Sequence, residues 1–323
     1  YMGRLFNFIY YIIVTYFALK KIPFGKLLLF AVTMLPMTCH QMFSLSYDAV
    51  LNATSFFCIA YGMYFVYQSD KVEKKDILLY ALGGLILLTV KGSVYAFILV
   101  IPILAKYFNP NGYEIAKRTK VIIFLIVITC IVLLNFRSFI SYGTTTPLAS
   151  VSGENLVPWS GTPSYTLSLL LSDIPGTIIL FINTFIEKGL WYINTAIGSE
   201  LGWFNILMPM WIVNIWIGLL IVSSFSEKSN NEVFTYEHKV LYFFIAVAII
   251  LVVMLAMALA WTPAGYRWIE GVQGRYYIPI IYLLLIWLQN TKIYLRDKAV
   301  KIIIISIPIM AMISIYNLIP LVF

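Results

Sequence analysis

Of the 323 residues, 61% are hydrophobic and 11% are charged, and the mean hydropathy is +0.90. A chain this apolar cannot hide its side chains inside a water-soluble globule, so soluble classes are excluded and an integral membrane protein is implied. The net charge of +8 does not argue for nucleic acid, because the basic residues are scattered through short loops and not gathered on one soluble face.

In chain order, apolar runs at 5–19, 27–45, 47–67, 77–90, 94–108, 120–136, 207–223, 240–260, 276–290 and 299–320 read as helical spans. Each is close to the ~20 residues that cross hydrocarbon as a helix. The expectation is an all-α integral membrane protein, a polytopic bundle of about ten transmembrane helices in a single membrane domain over 1–323.

Alternate loops at 20–26, 68–76, 106–120, 224–239 and 291–301 hold 16 of the 22 Lys and Arg residues; Arg4, Lys91, Arg137, Lys188, Arg267 and Arg275 are the other six. Acidic residues split 8 to 6 between the same two sides, so the asymmetry belongs to the cations. The cation-rich loops are therefore read as cytoplasmic, and the other ends face outward.

The outer connections gather polar groups at Ser46-Tyr47-Asp48, at Lys91-Gly92-Ser93 and between Trp261 and Arg275. A long outer segment, 137–206, starts with a stretch rich in Ser, Thr, Gly and Pro (141–164) that has no helical or strand period. After it, Ser172-Asp173-Ile174-Pro175 reads as a helix start. The apolar run 174–186 is short for a span and is read as an interfacial or re-entrant helix.

Cys39, Cys58 and Cys130 lie in or beside apolar runs and form no CxxC pair, so they read as packing residues. His40 and His238 fall on opposite sides, which argues against a His-based metal site. No GxSxG, HExxH, P-loop or dinucleotide fingerprint occurs. Asn52-Ala53-Thr54 spells a glycosylation sequon, but inside a span.

The chemistry concentrates in Gly271-Val-Gln-Gly-Arg-Tyr-Tyr-Ile-Pro279. Arg275 brings a fixed cation to the edge of a span, where an unpartnered charge costs about 2.5–3.5 kcal/mol. Gln273 and Tyr276 add hydrogen-bonding groups around it, and glycine lets backbone approach a ligand. Arg suits a phosphate or carboxylate; the structural alternative is an ion pair with Asp48 or Glu270.

Asp48 opens a span, where it reads either as a helix N-cap or as a carboxylate ordering a hydroxyl, a metal or a cation. Lys91 is either a lysine snorkelling from a span end or a contact for a lipid-linked phosphate, with Gly92-Ser93 permitting a tight reversal beside it. Arg267 lies in the outer loop before the motif, where it can pair with Glu270.

Leu35-Pro36, the Ser46-Tyr47-Asp48 step, Lys91 and the Gly271–Pro279 motif together resemble the bacterial membrane-protein family named domain of unknown function 2142, over most of the chain. That family is similar to the C-type (GT-C) glycosyltransferases, which take a sugar from a polyprenyl-phosphate carrier at the outer membrane face. The resemblance implies a GT-C-like bundle in the bacterial cytoplasmic (inner) membrane, a polyprenyl-phosphate sugar donor, and a glycan or lipid acceptor in cell-envelope assembly.

It also implies a catalytic acidic pair in a first outer loop. No such segment follows Tyr1, which coincides with the family's expected second span, so the first span and that loop are expected upstream. Asp48 is the in-chain candidate base; Lys91, Arg267, Gln273, Arg275 and Tyr276 are the candidate substrate contacts. A divalent metal is admitted, but no ligand cluster demands one. Membrane lipids are further partners. A transporter or flippase of a lipid-linked or anionic solute would use the same cations without bond making, and a non-catalytic scaffold would leave Asp48, Lys91 and Arg275 in separate surroundings.

Overall fold

A computed structural model describes residues 1–103, 156–228 and 234–322, with the side chains of 91–93 and 319–322 outside the description. In hydrocarbon a helix satisfies its own backbone polar groups, and the chain is built accordingly. Its helices are α1 (Met2–Lys21), α2 (Lys26–Thr33), α3 (Pro36–Met42), α4 (Asp48–Tyr67), α5 (Lys74–Tyr95), α6 (Leu167–Ser172), α7 (Ile174–Ile197), α8 (Met210–Ser224), α9 (Tyr236–Trp261), α10 (Ile278–Leu285) and α11 (Asp297–Val322). A two-stranded hairpin pairs Glu200–Leu201 (β1) with Ile206–Leu207 (β2).

Helix α4 is the axis of the molecule. In its most apolar stretch 94% of residues are buried, against 17% in α1, 33% in α9 and 28% in α11. Helix α1 packs along one side of it, with Tyr10 OH and Thr54 Oγ1 at 2.8 Å, and α5 packs along another. The outer helices turn apolar stripes away from this core: Leu5, Ile9, Ile12, Ile13 and Tyr16 on α1, and Ile302, Ile305, Ile309, Met312 and Tyr316 on α11, are all exposed. Exposed apolar faces of this extent suit hydrocarbon and not water. Among the described residues, four helices are long and apolar enough to cross a membrane, namely α1, α4, α9 and residues Asp297–Leu318 of α11.

Loops read as lying on one side meet in the fold. Glu227 accepts from the Gly25 and Lys26 amides at 2.9 and 3.4 Å, Leu295 N donates to Phe225 O at 2.8 Å, and Lys239 Nζ donates to the Gln289 carbonyl. Lys21 Nζ stands 2.8 Å from Asp76 Oδ1, joining two further loops. Asp76 is 1% exposed and also closes a capping box with Glu73 at the start of α5. Asp76→Ala is therefore expected to destabilise the fold by about 2 kcal/mol, through the lost cap and the stranded lysine. A thermal melt in detergent checks this, and an unchanged midpoint would refute it.

Three expectations change. The run 27–45 is not one helix: α2 ends at Thr33 and α3 starts at Pro36, because the residue before a proline is pushed out of helical backbone, here Leu35 at φ −55°, ψ 144°. The short interfacial helix becomes the 24-residue α7, which continues through Glu187-Lys188 to Ile197. It can do so because Lys188 turns inward to Glu270 and Trp268 while Ile178, Ile182, Phe185, Ile186 and Ile193 form an exposed apolar face. Helix α5 passes through Lys91-Gly92-Ser93 to Tyr95, so the reversal expected there is absent. By Leu99 the chain has folded back, and its carbonyl accepts from Tyr80 OH at 3.3 Å.

The run 94–108 begins as a 3-10 turn, Ala96–Val100. Residues 104–108, the run 120–136, Cys130 and most of the 141–164 stretch lie outside the described residues. The last part of that stretch is ordered against the loop after α9: Val157 N donates to Thr162 O at 2.8 Å, and Ala264 N donates to Pro163 O at 2.9 Å. Cys39 and Cys58 are free and buried, as packing residues are.

Candidate anion site at the Asp48–Arg275 pair

Arg275 sits in a 3-10 turn, Gly274–Tyr277, that leads into α10 with Pro279 in the first helical turn, where a missing N–H costs nothing. Two glycines make this turn buildable. Gly271 adopts φ +80°, a backbone that side chains resist, and Gly274 lies against α7. A Cβ at Gly274 would stand within 3.0 Å of the Tyr192 carbonyl, Thr195 Oγ1 and the Ala196 nitrogen. The glycine expected to admit a ligand thus admits a helix instead.

The preceding loop is fastened to α7. Ile269 N donates to Thr184 Oγ1 at 2.8 Å, Asn183 Nδ2 donates to the Arg267 carbonyl at 3.3 Å, and Lys188 lies 3.8 Å from Glu270. Glu270 also accepts from Trp268 Nε1. It therefore faces Lys188, and not the Arg267 partner that the sequence allows.

From the other side comes α4. Asp48 is its first residue, behind an N-cap, Tyr47, that makes no side-chain cap bond. Ser46 Oγ instead takes the Asp48 amide at 3.2 Å and donates to Asp48 Oδ2 at 2.9 Å. Gln41 Nε2 on α3 donates to the same oxygen at 3.4 Å, and its own Oε1 accepts from Asn52 Nδ2 at 2.6 Å. A polar string thus runs from the second turn of α4, at the sequon asparagine, to the carboxylate.

Arg275 Nη1 completes it, 3.7 Å from Asp48 Oδ2. Asp48 is 4% exposed, and the Arg275 side chain is 34% exposed. One end of the pair is sealed and the other is open. An anion at the first turn of α4 is favoured by the helix end, and the carboxylate holds the guanidinium in place. Arg275 Nε is buried and meets no hydrogen-bond partner among the described residues.

Tyr276 packs beneath the guanidinium, ring centroid to Cζ 5.6 Å, and its carbonyl accepts from Tyr95 OH at 2.7 Å. Gln273 contributes its carbonyl, which takes the Tyr276 amide at 3.0 Å, while its side chain is half-buried. Arg267 is exposed on the loop surface. The structure brings Asp48, Arg275, Tyr276 and Gln273 together; the side chain of Lys91 lies outside the described residues.

Sequence reasoning missed Gln41 and Asn52. Their signal was available: two amides inside apolar runs, each needing a buried partner. Among the described residues no group of three His, Cys, Asp or Glu approaches closely enough to hold a metal ion.

A family model described as predicted membrane protein (DUF2142) matches residues 1–284. No curated protein and no solved structure matches the chain.

Proposed function

The chain belongs to this family of predicted membrane proteins, and on that premise we propose a bacterial inner-membrane, GT-C-like glycosyltransferase that uses a polyprenyl-phosphate-linked sugar at the outer membrane face in cell-envelope glycan assembly. The observation that carries the reading is Arg275: a guanidinium fixed by a buried carboxylate at one end and one-third exposed at the other. A preorganised cation in a water-poor site stabilises a phosphate more strongly than the same cation in water.

In the transfer, the bond between the sugar's anomeric carbon and the carrier phosphate breaks, and a bond to the acceptor oxygen forms. The acceptor proton goes to a carboxylate base, and the carrier leaves as polyprenyl phosphate with one more negative charge. Arg275 neutralises that charge, and Tyr276 and Gln273 shape its surroundings. Asp48 is better suited to positioning Arg275 than to taking the proton, since its oxygen already serves Ser46, Gln41 and Arg275. The base is then a carboxylate other than Asp48.

The test is incubation of the full-length protein with a panel of polyprenyl-phosphate sugars, following release of the carrier. Turnover of at least one donor, reduced on the order of a hundredfold or more in Arg275→Gln, is expected. Carrier that binds and crosses vesicle bilayers but is never cleaved would replace the transferase with the flippase.

A further inference from the structure

Helix α8 is too short to cross a bilayer by itself. Its 15 residues rise about 22 Å at ~1.5 Å each, against about 30 Å of hydrocarbon. Helix α9, with 26 residues, is long enough alone. The far end of α8 is fixed among the cation-rich loops, where Phe225 O accepts from Leu295 N and Glu227 takes the Gly25 and Lys26 amides. Its first turn, at Met210, therefore stops about 8 Å short of the opposite boundary. The β1–β2 hairpin just before it has to fill that gap.

The hairpin is built for such a place, because its backbone is satisfied from within. Glu200 pairs with Leu207 and Leu201 with Ile206, Met208 N donates to Ser199 O at 2.9 Å, and Trp203 N donates to Asn205 Oδ1 at 2.9 Å. Gly202 at φ +65° and Phe204 at φ +63° form the tip, and a phenylalanine keeps that left-handed backbone only where its surroundings hold it. Trp191 of α7 supplies the hold: its ring lies 5.6 Å from that of Phe204, and its Nε1 donates to Glu200 Oε1 at 2.9 Å. Glu200 is the one charged residue between Gly189 and Ser226, so no cation stands in the way of burial in lipid.

The tip presents tryptophan and aliphatic surface. Trp203 is 94% exposed, and Phe204, Leu207, Met210 and Trp211 are exposed with it. They follow the bare apolar face of α7 at Ile186, Leu190 and Ile193. Tryptophan concentrates where acyl chains meet headgroups. At the root of the hairpin, Gly198 lies against α3, where a Cβ would stand 2.9 Å from the Met37 nitrogen.

We propose that the hairpin is a shallow membrane anchor: Trp203, Phe204, Leu207 and Trp211 sit at the boundary of acyl chains and headgroups, on the side away from the cation-rich loops. Through α7, against which Gly274 packs, the anchor sets the Arg275 turn at the level of the lipid phosphates. The inference goes beyond the transferase reading and does not depend on it.

The test is fluorescence quenching of full-length wild type and Trp203→Phe in liposomes, with the difference between the two taken as the Trp203 emission. The substitution changes an almost fully exposed side chain, so the variant should fold, which a thermal melt verifies. The expected difference emission is blue-shifted, is lost to lipids brominated high on the acyl chain and is insensitive to aqueous iodide, as for a ring about 5–10 Å inside the boundary. Quenching by iodide and not by bromolipid puts the tip in water and overturns the anchor. Quenching by neither makes the tip a contact between copies of the chain, which overturns it equally. No carrier is present in this experiment, so its failure leaves the transferase reading standing.

Discussion

Arg275→Ala is expected to destabilise the protein by about 2–4 kcal/mol as well as abolish carrier binding. Removing one partner of a fully buried ion pair costs about 3–5 kcal/mol, because the other charge stays behind without compensation. Here Asp48 stays behind at 4% exposure. The cost is moderated because Arg275 is one-third exposed and because Ser46 and Gln41 still donate to the carboxylate.

The double variant Asp48→Asn/Arg275→Gln removes both charges and keeps polar groups of similar size. It should recover most of the lost stability, a coupling that a double-mutant cycle of unfolding midpoints reads directly. Strictly additive losses would mean that the 3.7 Å approach carries no interaction. Because the double variant should fold, it separates what Arg275 does for the protein from what it does for a ligand.

Gly274→Ala should be the most damaging single methyl that can be added near the site. Its Cβ would meet backbone atoms of α7, the Tyr192 carbonyl and the Ala196 nitrogen, and backbone cannot swing aside as a side-chain tip does. The 3-10 turn and α7 must separate, at a cost of about 3 kcal/mol or more, and Arg275 moves with the turn. Gly189→Ala on the same helix is the control. Nothing lies within 4 Å of its added Cβ, so it should be neutral or stabilising by about 0.5–1 kcal/mol. Thermal unfolding in detergent, run beside carrier binding, checks both, and a Gly274→Ala protein as stable as wild type would refute the packing assignment.

Much of the architecture was legible because the bilayer sets the lengths of helices and the sorting of charges. The runs at 47–67, 240–260 and 299–320 coincide with α4, α9 and α11 to within a turn, since each is apolar over a length that only a helix satisfies in hydrocarbon. The grouping of the loops around Lys21, Gly25, Asp76, Glu227 and Gln289 follows from the cation distribution.

What was misread is where tertiary contact outvotes local pattern. Glu187-Lys188 reads as a helix end until Glu270 and Trp268 are seen receiving Lys188. The break at Leu35 was legible from Pro36, but the apolar run on both sides of it masked the signal. At the site, Arg275 was found through its neighbours in sequence, and the pair with Asp48 was one of two alternatives. Gln41 and Asn52 join that pair only through the folded contact of α3 with α4, and no spacing in the chain announces it.

The most direct test of the central claim, that Arg275 is held by Asp48 in order to meet a lipid-borne phosphate, is carrier binding by the double variant Asp48→Asn/Arg275→Gln in nanodiscs. The expected result is a protein as well folded as wild type that no longer binds polyprenyl phosphate. A double variant that binds the carrier with wild-type affinity would make the ion pair structural alone and contradict the account.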